Sequence, residues 1–218
     1  KQVNGVRQVT LSSAVPGKMV GFGMANRRVG DPDKINKMFE TCRVDYDFLP
    51  AYKLQLVAGR NFSKAIATDS METVILTEHA MKLFGFDSAE EAVRGAVHLE
   101  GHDEKRFRVI GVVKDYHQLS LKEDFKPIVF MVYNPWNWLD HHYVSVKLDQ
   151  ASASSFVATA RSAFKDFFPG SSFDYFFLDD FFDKQYKDDQ QFGKIFSLFA
   201  GLAIVIACLG LWGLASFT

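Results

Sequence analysis

Hydrophobic and polar residues alternate in short runs through the first half of the chain, then shift to a three- and four-residue spacing towards its end. Gln8 to Ser12, Met19 to Val29 and Lys37 to Tyr46 read as strands, divided by the turn formers Pro16-Gly17 and Gly30-Asp31-Pro32-Asp33. A short helix is predicted at Asp47 to Leu54, ending near Ala58-Gly59-Arg60. Thr73 to Leu76 predicts a buried strand leading into a helix at Glu78 to Phe84, stopped by Gly85. Ala96 to Glu100 and Lys105 to Val113 flank Gly101-His102-Asp103-Glu104 and carry a hairpin signal.

The distal pattern is stronger. Tyr143 to Leu148 alternates as a strand, and Phe156, Ala160, Ala163, Phe164 and Phe167 then recur with helical spacing until Pro169-Gly170. Ser172 to Leu178 alternates again, so residues 143 to 178 are expected to form a β-α-β unit. Leu178, Phe182, Tyr186 and Phe192 next lie on one stripe among acids and glutamines, which predicts a stalk helix over 179–194. From Ile195 to Thr218 there is no charged residue. As a helix that segment is roughly 35 Å long, enough to cross a hydrocarbon core of about 30 Å. The expectation is therefore a transmembrane helix over 195–218, on a fragment of a larger membrane protein cut around one soluble domain. A signal peptide is excluded by position.

Within the span, Ala200, Ala203, Ala207, Gly210 and Gly213 recur every three or four residues. Small residues on one stripe let a second helix approach closely, so Ala203, Ala207 and Gly210 are expected to pack against other membrane helices. The stalk is rich in Asp179, Asp180, Asp183, Asp188 and Asp189 against Lys184 and Lys187, whereas cytoplasmic flanks accumulate Lys and Arg. That favours the soluble domain lying outside the cytoplasm.

Composition narrows the function. With 25 Lys and Arg against 26 Asp and Glu, a net charge of -1 gives no electrostatic case for nucleic acid. The 22 phenylalanines, many of them between Phe156 and Phe199, suggest an aromatic core and a membrane-proximal region. Cys208 sits in the span and Cys42 in the soluble part, so no bridge between them is expected. Residues 1–194 show no repeat and no low-complexity linker, and read as one compact unit with two lobes.

Candidate chemistry is sparse. His98, Glu100, His102, Asp103 and Glu104, and separately Asp140, His141 and His142, hold metal-ligand residue types. A solvated hairpin tip explains the first group, since no second cluster stands at a known ligand spacing. Asp115 and His117, two apart after an apolar strand, could share a face as an acid-base pair; a hydrogen-bonded strand end is the simpler reading, as no nucleophile signature accompanies them. Asp179, Asp180 and Asp183 as a glycosidase pair is weaker still. Gly21-Phe22-Gly23 is a two-glycine fragment within a strand, and no phosphate-binding loop of the G-x-x-x-x-G-K-[ST] type occurs. No catalytic residue, metal ligand or cofactor is therefore assigned. The loop Tyr133-Asn134-Pro135-Trp136-Asn137-Trp138-Leu139 concentrates two tryptophans beside a proline. Trp136 and Trp138 either contact a partner, substrate or headgroup layer, or pack on the domain's own core.

Val3-Asn4-Gly5-Val6 with Ser12-Ser13-Ala14-Val15-Pro16-Gly17, Leu56-Val57-Ala58-Gly59-Arg60-Asn61-Phe62, and Val74-Ile75-Leu76-Thr77-Glu78-His79-Ala80 before Leu83-Phe84-Gly85 together resemble the extracytoplasmic domain of MacB/FtsX-type ABC transporter permeases, in the form common among Bacteroidetes-like sequences. The family often has Asn where Thr77 stands. The most specific match is Arg108-Val109-Ile110-Gly111-Val112-Val113-Lys114-Asp115-Tyr116-His117, followed by Lys126-Pro127-Ile128. Phe192-Gly193-Lys194-Ile195-Phe196 running into Ile206-Ala207-Cys208-Leu209-Gly210-Leu211 is similar to the stalk and second membrane helix of such permeases.

The resemblance implies an α+β, two-lobed periplasmic domain. A porter-like β-α-β lobe would comprise 1–46 and 126–178, and a β-rich inserted lobe 47–125. It further implies an inner-membrane permease dimer served by a cytoplasmic ABC ATPase subunit, with membrane lipid around the span and a periplasmic or outer-membrane partner among the possibilities. No catalytic residues are implied in this domain. The expected function is transmission of ATP-driven motion along the stalk, through Phe182, Gln185 and Tyr186, to efflux, lipoprotein handling or envelope signalling outside. The alternative is the ligand-sensing ectodomain of a membrane receptor or sensor kinase.

Overall fold

The computed structural model describes residues 5–102, 104–119, 123–132 and 140–215, without the side chains of 181–194, 210 and 213–215. It divides into two compact units, Lys1–Phe173 and Asp174–Thr218.

The first unit contains β1 (Val6–Ser12), β2 (Gly23–Arg28), β3 (Lys37–Arg43), α1 (Phe48–Ala51), β4 (Leu56–Gly59) and β5 (Thr73–Thr77). It continues with α2 (Glu78–Phe84), α3 (Ala89–Val93), β6 (Ala96–His98), β7 (Phe107–Val113), β8 (Ile128–Met131), β9 (Tyr143–Leu148) and α4 (Ala153–Phe167). β1 and β9 pair antiparallel as a separate two-stranded sheet. The other strands form a seven-stranded sheet in the order β4-β7-β5-β8-β3-β2-β6, and β6 also pairs back onto β7. The run from β7 through β5, β8, β3 and β2 to β6 thus closes on itself, which removes most of the exposed edge an open sheet would carry.

Burial explains why β5 and β8 read as continuous apolar runs instead of alternating ones. Both are buried along their whole length. Val74 and Leu76 of β5, with Val129 and Met131 of β8, face a core under α2 and α3 that includes Phe39, Phe84, Phe86 and Phe107. Ile75, Ile128 and Phe130 face a second core with Val44, Phe48, Leu49 and Phe62. A sheet covered on both faces needs apolar side chains in both phases. The register of β7 against β5 slips by one residue between Val109 and Gly111. The extra residue lets Val109 and Val112 share the first core while Ile110 and Val113 share the second.

The helix predicted after Thr73–Leu76 forms as expected, because its ends are chemically specified. The Thr77 hydroxyl accepts from the Ala80 N–H at 3.2 Å, and Gly85 closes α2 with a left-handed φ of 83°. The hairpin at 96–113 also forms, with Ala96 opposite Arg108 and Val97 opposite Phe107.

Other expectations are corrected. The helix after Asp47 is a single turn, and 56–59 is strand β4, because Gly59 with φ 78° fits against the β7 backbone where a helix could not lie. α3 went unrecognised although Ser88, whose hydroxyl accepts from the Glu91 N–H, gives it a proper cap. Residues 171–177 are not a strand. Their alternation of Phe173, Tyr175 and Phe177 assigns side chains to faces, but a ladder also needs a strand alongside in register. The fully buried phenylalanines, such as Phe39, Phe48, Phe107 and Phe130, lie well before the Phe-rich 156–199 region, where Phe167, Phe168, Phe196 and Phe199 are exposed.

The second unit is dominated by α5, one unbroken helix of 38 residues from Leu178 to Ala215. Asp179 and Asp180 occupy its first turn, where they complement the positive end of the helix dipole. Among the described residues no helix is long and apolar enough to cross a membrane. The uninterrupted run of described side chains, 195–209, covers about 22 Å against the roughly 30 Å of a hydrocarbon core. The segments 179–194 and 195–215 lie on one helix.

Candidate functional site

The motif segments far apart in sequence meet around β7. Arg60 donates its backbone N–H to the Ile110 carbonyl at 2.9 Å. A Cβ on Gly59 would lie 2.2 Å from the Ile110 oxygen, and one on Gly111 would lie 2.6 Å from the Arg60 oxygen. Glycine at both positions is what allows β4 and β7 to touch. The Arg60 guanidinium then grips the fully buried carboxylate of Asp69 with two hydrogen bonds, at 2.5 and 2.8 Å, and the Ser63 N–H adds a third at 2.9 Å. Burial alone would raise the Asp69 pKa, but these bonds and the charges of Arg60 and Arg108 outweigh it and hold the carboxyl below its ordinary value.

A second junction joins the end of β7 to α2. Asp115 accepts the His79 N–H at 2.8 Å, and Glu78 accepts the Asp115 N–H at 3.0 Å. The Thr77 hydroxyl also accepts from the Ile128 N–H at 3.1 Å and reaches the Lys126 carbonyl at 3.3 Å. The His117 ring packs at a tilt against Phe125 with ring centroids 4.5 Å apart and meets the Glu123 carbonyl through Nδ1. Asp115 and His117 do not bond each other; each fastens the strand end to a different segment. Between them the Tyr116 ring packs on the second core, where burial drives its pKa well up. Gln118 closes the knot from inside, donating to the carbonyls of Val15 and Lys18 at 2.9 and 2.7 Å.

The histidine clusters are similarly committed to local structure. His98 Nδ1 meets the Lys105 carbonyl, and a Glu100 oxygen accepts the Ala25 N–H at 2.7 Å, tying the hairpin to β2. Among the described residues no group of three or more His, Cys, Asp or Glu is placed to hold a metal ion; Asp103 is outside them. Asp140 pairs with Arg43 at 2.9 Å and accepts the His141 N–H, which with the Arg43 charge lowers its pKa. His141 is shifted down by burial and by Arg43. Gly23 opens a strand that leads to another strand, so Gly21-Phe22-Gly23 has no helix N-terminus to cradle a phosphate.

Of the contact residues expected from the sequence, Trp136 and Trp138 lie outside the described residues. Phe182, Gln185 and Tyr186 fall in the first half of α5 and Ala203, Ala207 and Gly210 in the second, with Ala203 and Ala207 exposed. The sequence reading missed Asp69 as a structural residue, because nothing local to a 3₁₀ turn at Ala67–Ser70 signals that its carboxylate will meet Arg60.

A mixed α+β domain with a closed sheet, leading into a long helix, is the class these observations define. The chain belongs to the MacB-like periplasmic core domain family, whose pattern matches residues 2–163. The fold agrees with three crystal structures. The periplasmic region of MacB from Actinobacillus actinomycetemcomitans has a TM-score of 0.54 at 17% identity, covering 76% of this chain and 69% of that one. The extracellular domain of the noncanonic ABC-type transporter YknZ from Gram-positive bacteria scores 0.55 at 21% identity, covering 75% and 77%. A domain of a putative permease from Porphyromonas gingivalis scores 0.52 at 15%, covering 76% and 72%. Comparison with curated proteins gave no match. The motif resemblance to MacB/FtsX-type permeases therefore holds, and the domain is of the periplasmic type.

Proposed function

We propose that the domain is the extracytoplasmic part of an ABC transporter permease and that α5 carries ATP-driven motion to it. α5 is the observation that carries this reading. Its first half is acidic and polar, whereas from Ile195 to Trp212 large apolar side chains such as Phe196, Leu198, Phe199, Ile204, Val205, Leu209 and Leu211 are exposed on all sides. A helix apolar all round is at home in lipid or inside a helical bundle. A helix over 195–218, as the uncharged run predicts, would be long enough to span the membrane. Family membership supports the remainder: a second permease copy, a cytoplasmic ABC ATPase subunit that performs the hydrolysis, and no chemistry in the domain itself. Closure of the permease dimer on ATP would tilt or shift the helix as a rigid lever, since an unbroken helix transmits displacement without bending. The handled molecule would be engaged outside the membrane, for efflux, lipoprotein handling or envelope signalling. Lobes at 1–46 with 126–178 and at 47–125 would supply the surfaces, and the Trp136/Trp138 loop would supply a contact.

The test begins with the full-length parent protein purified from its native membrane. Co-purification of a P-loop ATPase with ATP-hydrolysing activity is expected. Its absence, with a kinase-like domain on the same chain instead, would replace the permease by a sensor. Coupling is then tested by inserting Gly-Gly after Gln185. ATP hydrolysis should persist while ATP-dependent change in the spin-label distance between the domains of two copies disappears; an unchanged distance response would reject the lever.

A further inference from the structure

We propose that a cleft beside β7 binds a ligand through a phosphate group. The cleft has a volume of about 1050 Å³, and its lining includes four arginines, Arg60, Arg94, Arg106 and Arg108, with Glu72. Ligand-sized cavities run to about this volume. The backbone explains the gathering. Phe107 and Val109 point into the core, so Arg106 and Arg108, in the opposite phase of the strand, share the outer face. The Arg108 N–H bonds the Glu72 carbonyl at 2.8 Å, and the Val109 N–H bonds the Gly95 carbonyl at 3.1 Å, bringing Arg94 alongside. Arg60 joins from β4 through its bond to Ile110.

Charge balance sets the chemistry of the ligand. Arg60 is neutralised by Asp69, and Arg108 hydrogen-bonds the neutral Thr68 hydroxyl at 3.3 Å. The side chains of Arg94 and Arg106 have no hydrogen bond or ion pair among the described residues. Three arginines without a bonded carboxylate thus surround a concavity whose lining holds one acid, Glu72. Like charges held around a shared space repel, and a polyanion placed among them reverses the sign of that interaction. Guanidinium groups bind carboxylate and phosphate oxygens alike in pairs, and three of them around one space favour the greater charge and larger number of oxygens of a phosphate or pyrophosphate group over a lone carboxylate. The group could belong to a soluble phosphate ester or to a lipid headgroup, and either would present the same oxygens.

The full chain in zwitterionic detergent is titrated with inorganic pyrophosphate by calorimetry, and separately with short-chain phosphatidylglycerol and phosphatidylcholine. Binding of pyrophosphate that weakens about ten-fold or more in R94Q/R106Q supports the site with a soluble ligand. Binding of phosphatidylglycerol but not phosphatidylcholine, with the same loss in the variant, supports it with a headgroup. Both substitutions are at exposed side chains, and unchanged thermal melting verifies that the variant is folded; if it is not, R94Q and R106Q are read singly. Failure of the wild type to bind either anion, or equal binding by a folded variant, overturns the proposal.

Discussion

Arg60→Ala should be the most informative substitution in the fold, because it leaves the Asp69 carboxylate sealed without its cation. The side chain of Asp69 is 0% exposed, while that of Arg60 is 42% exposed, so the pair is buried on one side only. Removing one partner of a fully buried ion pair costs about 3–5 kcal/mol. Solvent at the guanidinium lowers the expectation here to about 2–3 kcal/mol. The sign of its pH dependence follows from the depressed pKa of Asp69. In the wild type the stabilisation is present above the unfolded carboxyl value of about 3.9 and is lost as pH falls through the lower folded value. In the variant, desolvation acts unopposed by Arg60, so protonation of Asp69 relieves the defect. The difference between the two proteins should thus be largest near neutrality and shrink as the pH approaches about 4. Urea unfolding of the full chain in detergent, followed by near-ultraviolet circular dichroism at both pH values, measures it. The double variant R60M/D69N should recover most of the loss, since the introduced amide would keep an acceptor for the Ser63 N–H without a charge. A loss below about 0.5 kcal/mol, or one that does not depend on pH, would refute the argument.

Three other outcomes are expected. Thr77→Val deprives the N–H groups of Ala80 and Ile128 of their shared acceptor and should cost about 2–3 kcal/mol in denaturant unfolding, with Thr77→Ser recovering most of it. Gly59→Ala should detach β4 from β7, since its φ is 78° and the new Cβ would overlap the Ile110 carbonyl; faster amide exchange at Arg60 and Lys114 reports this. Cys42 is fully enclosed, with its thiol pushed up to about 11 by burial, so in a Cys208→Ala background it should resist thiol reagents at pH 8 until the domain is unfolded.

Local chemistry determined several elements of this protein. Thr77 ahead of Glu78 and Gly85 after Phe84 specify α2 almost completely, because a cap and a left-handed stop are satisfied within one or two turns of chain. The ordered motif segments likewise identified the family, and the uncharged run from Ile195 lies in the helix α5. Tertiary structure decided what local pattern leaves open. Residues 56–59 became β4 because Gly59 and Gly111, distant in sequence, admit a close approach of the two backbones. Residues 171–177 alternate as a strand would and are not one. A hydrogen-bonded strand end was legible at Asp115 and His117, but its partners, His79, Glu78, Glu123 and Phe125, come from elsewhere in the fold. The arginines of the cleft are scattered between positions 60 and 108 and meet only when β7 pairs with its neighbours. Caps, turns and apolar runs act over a few residues and can be read in order; strand partners, buried ion pairs and clefts depend on which distant segments close the sheet.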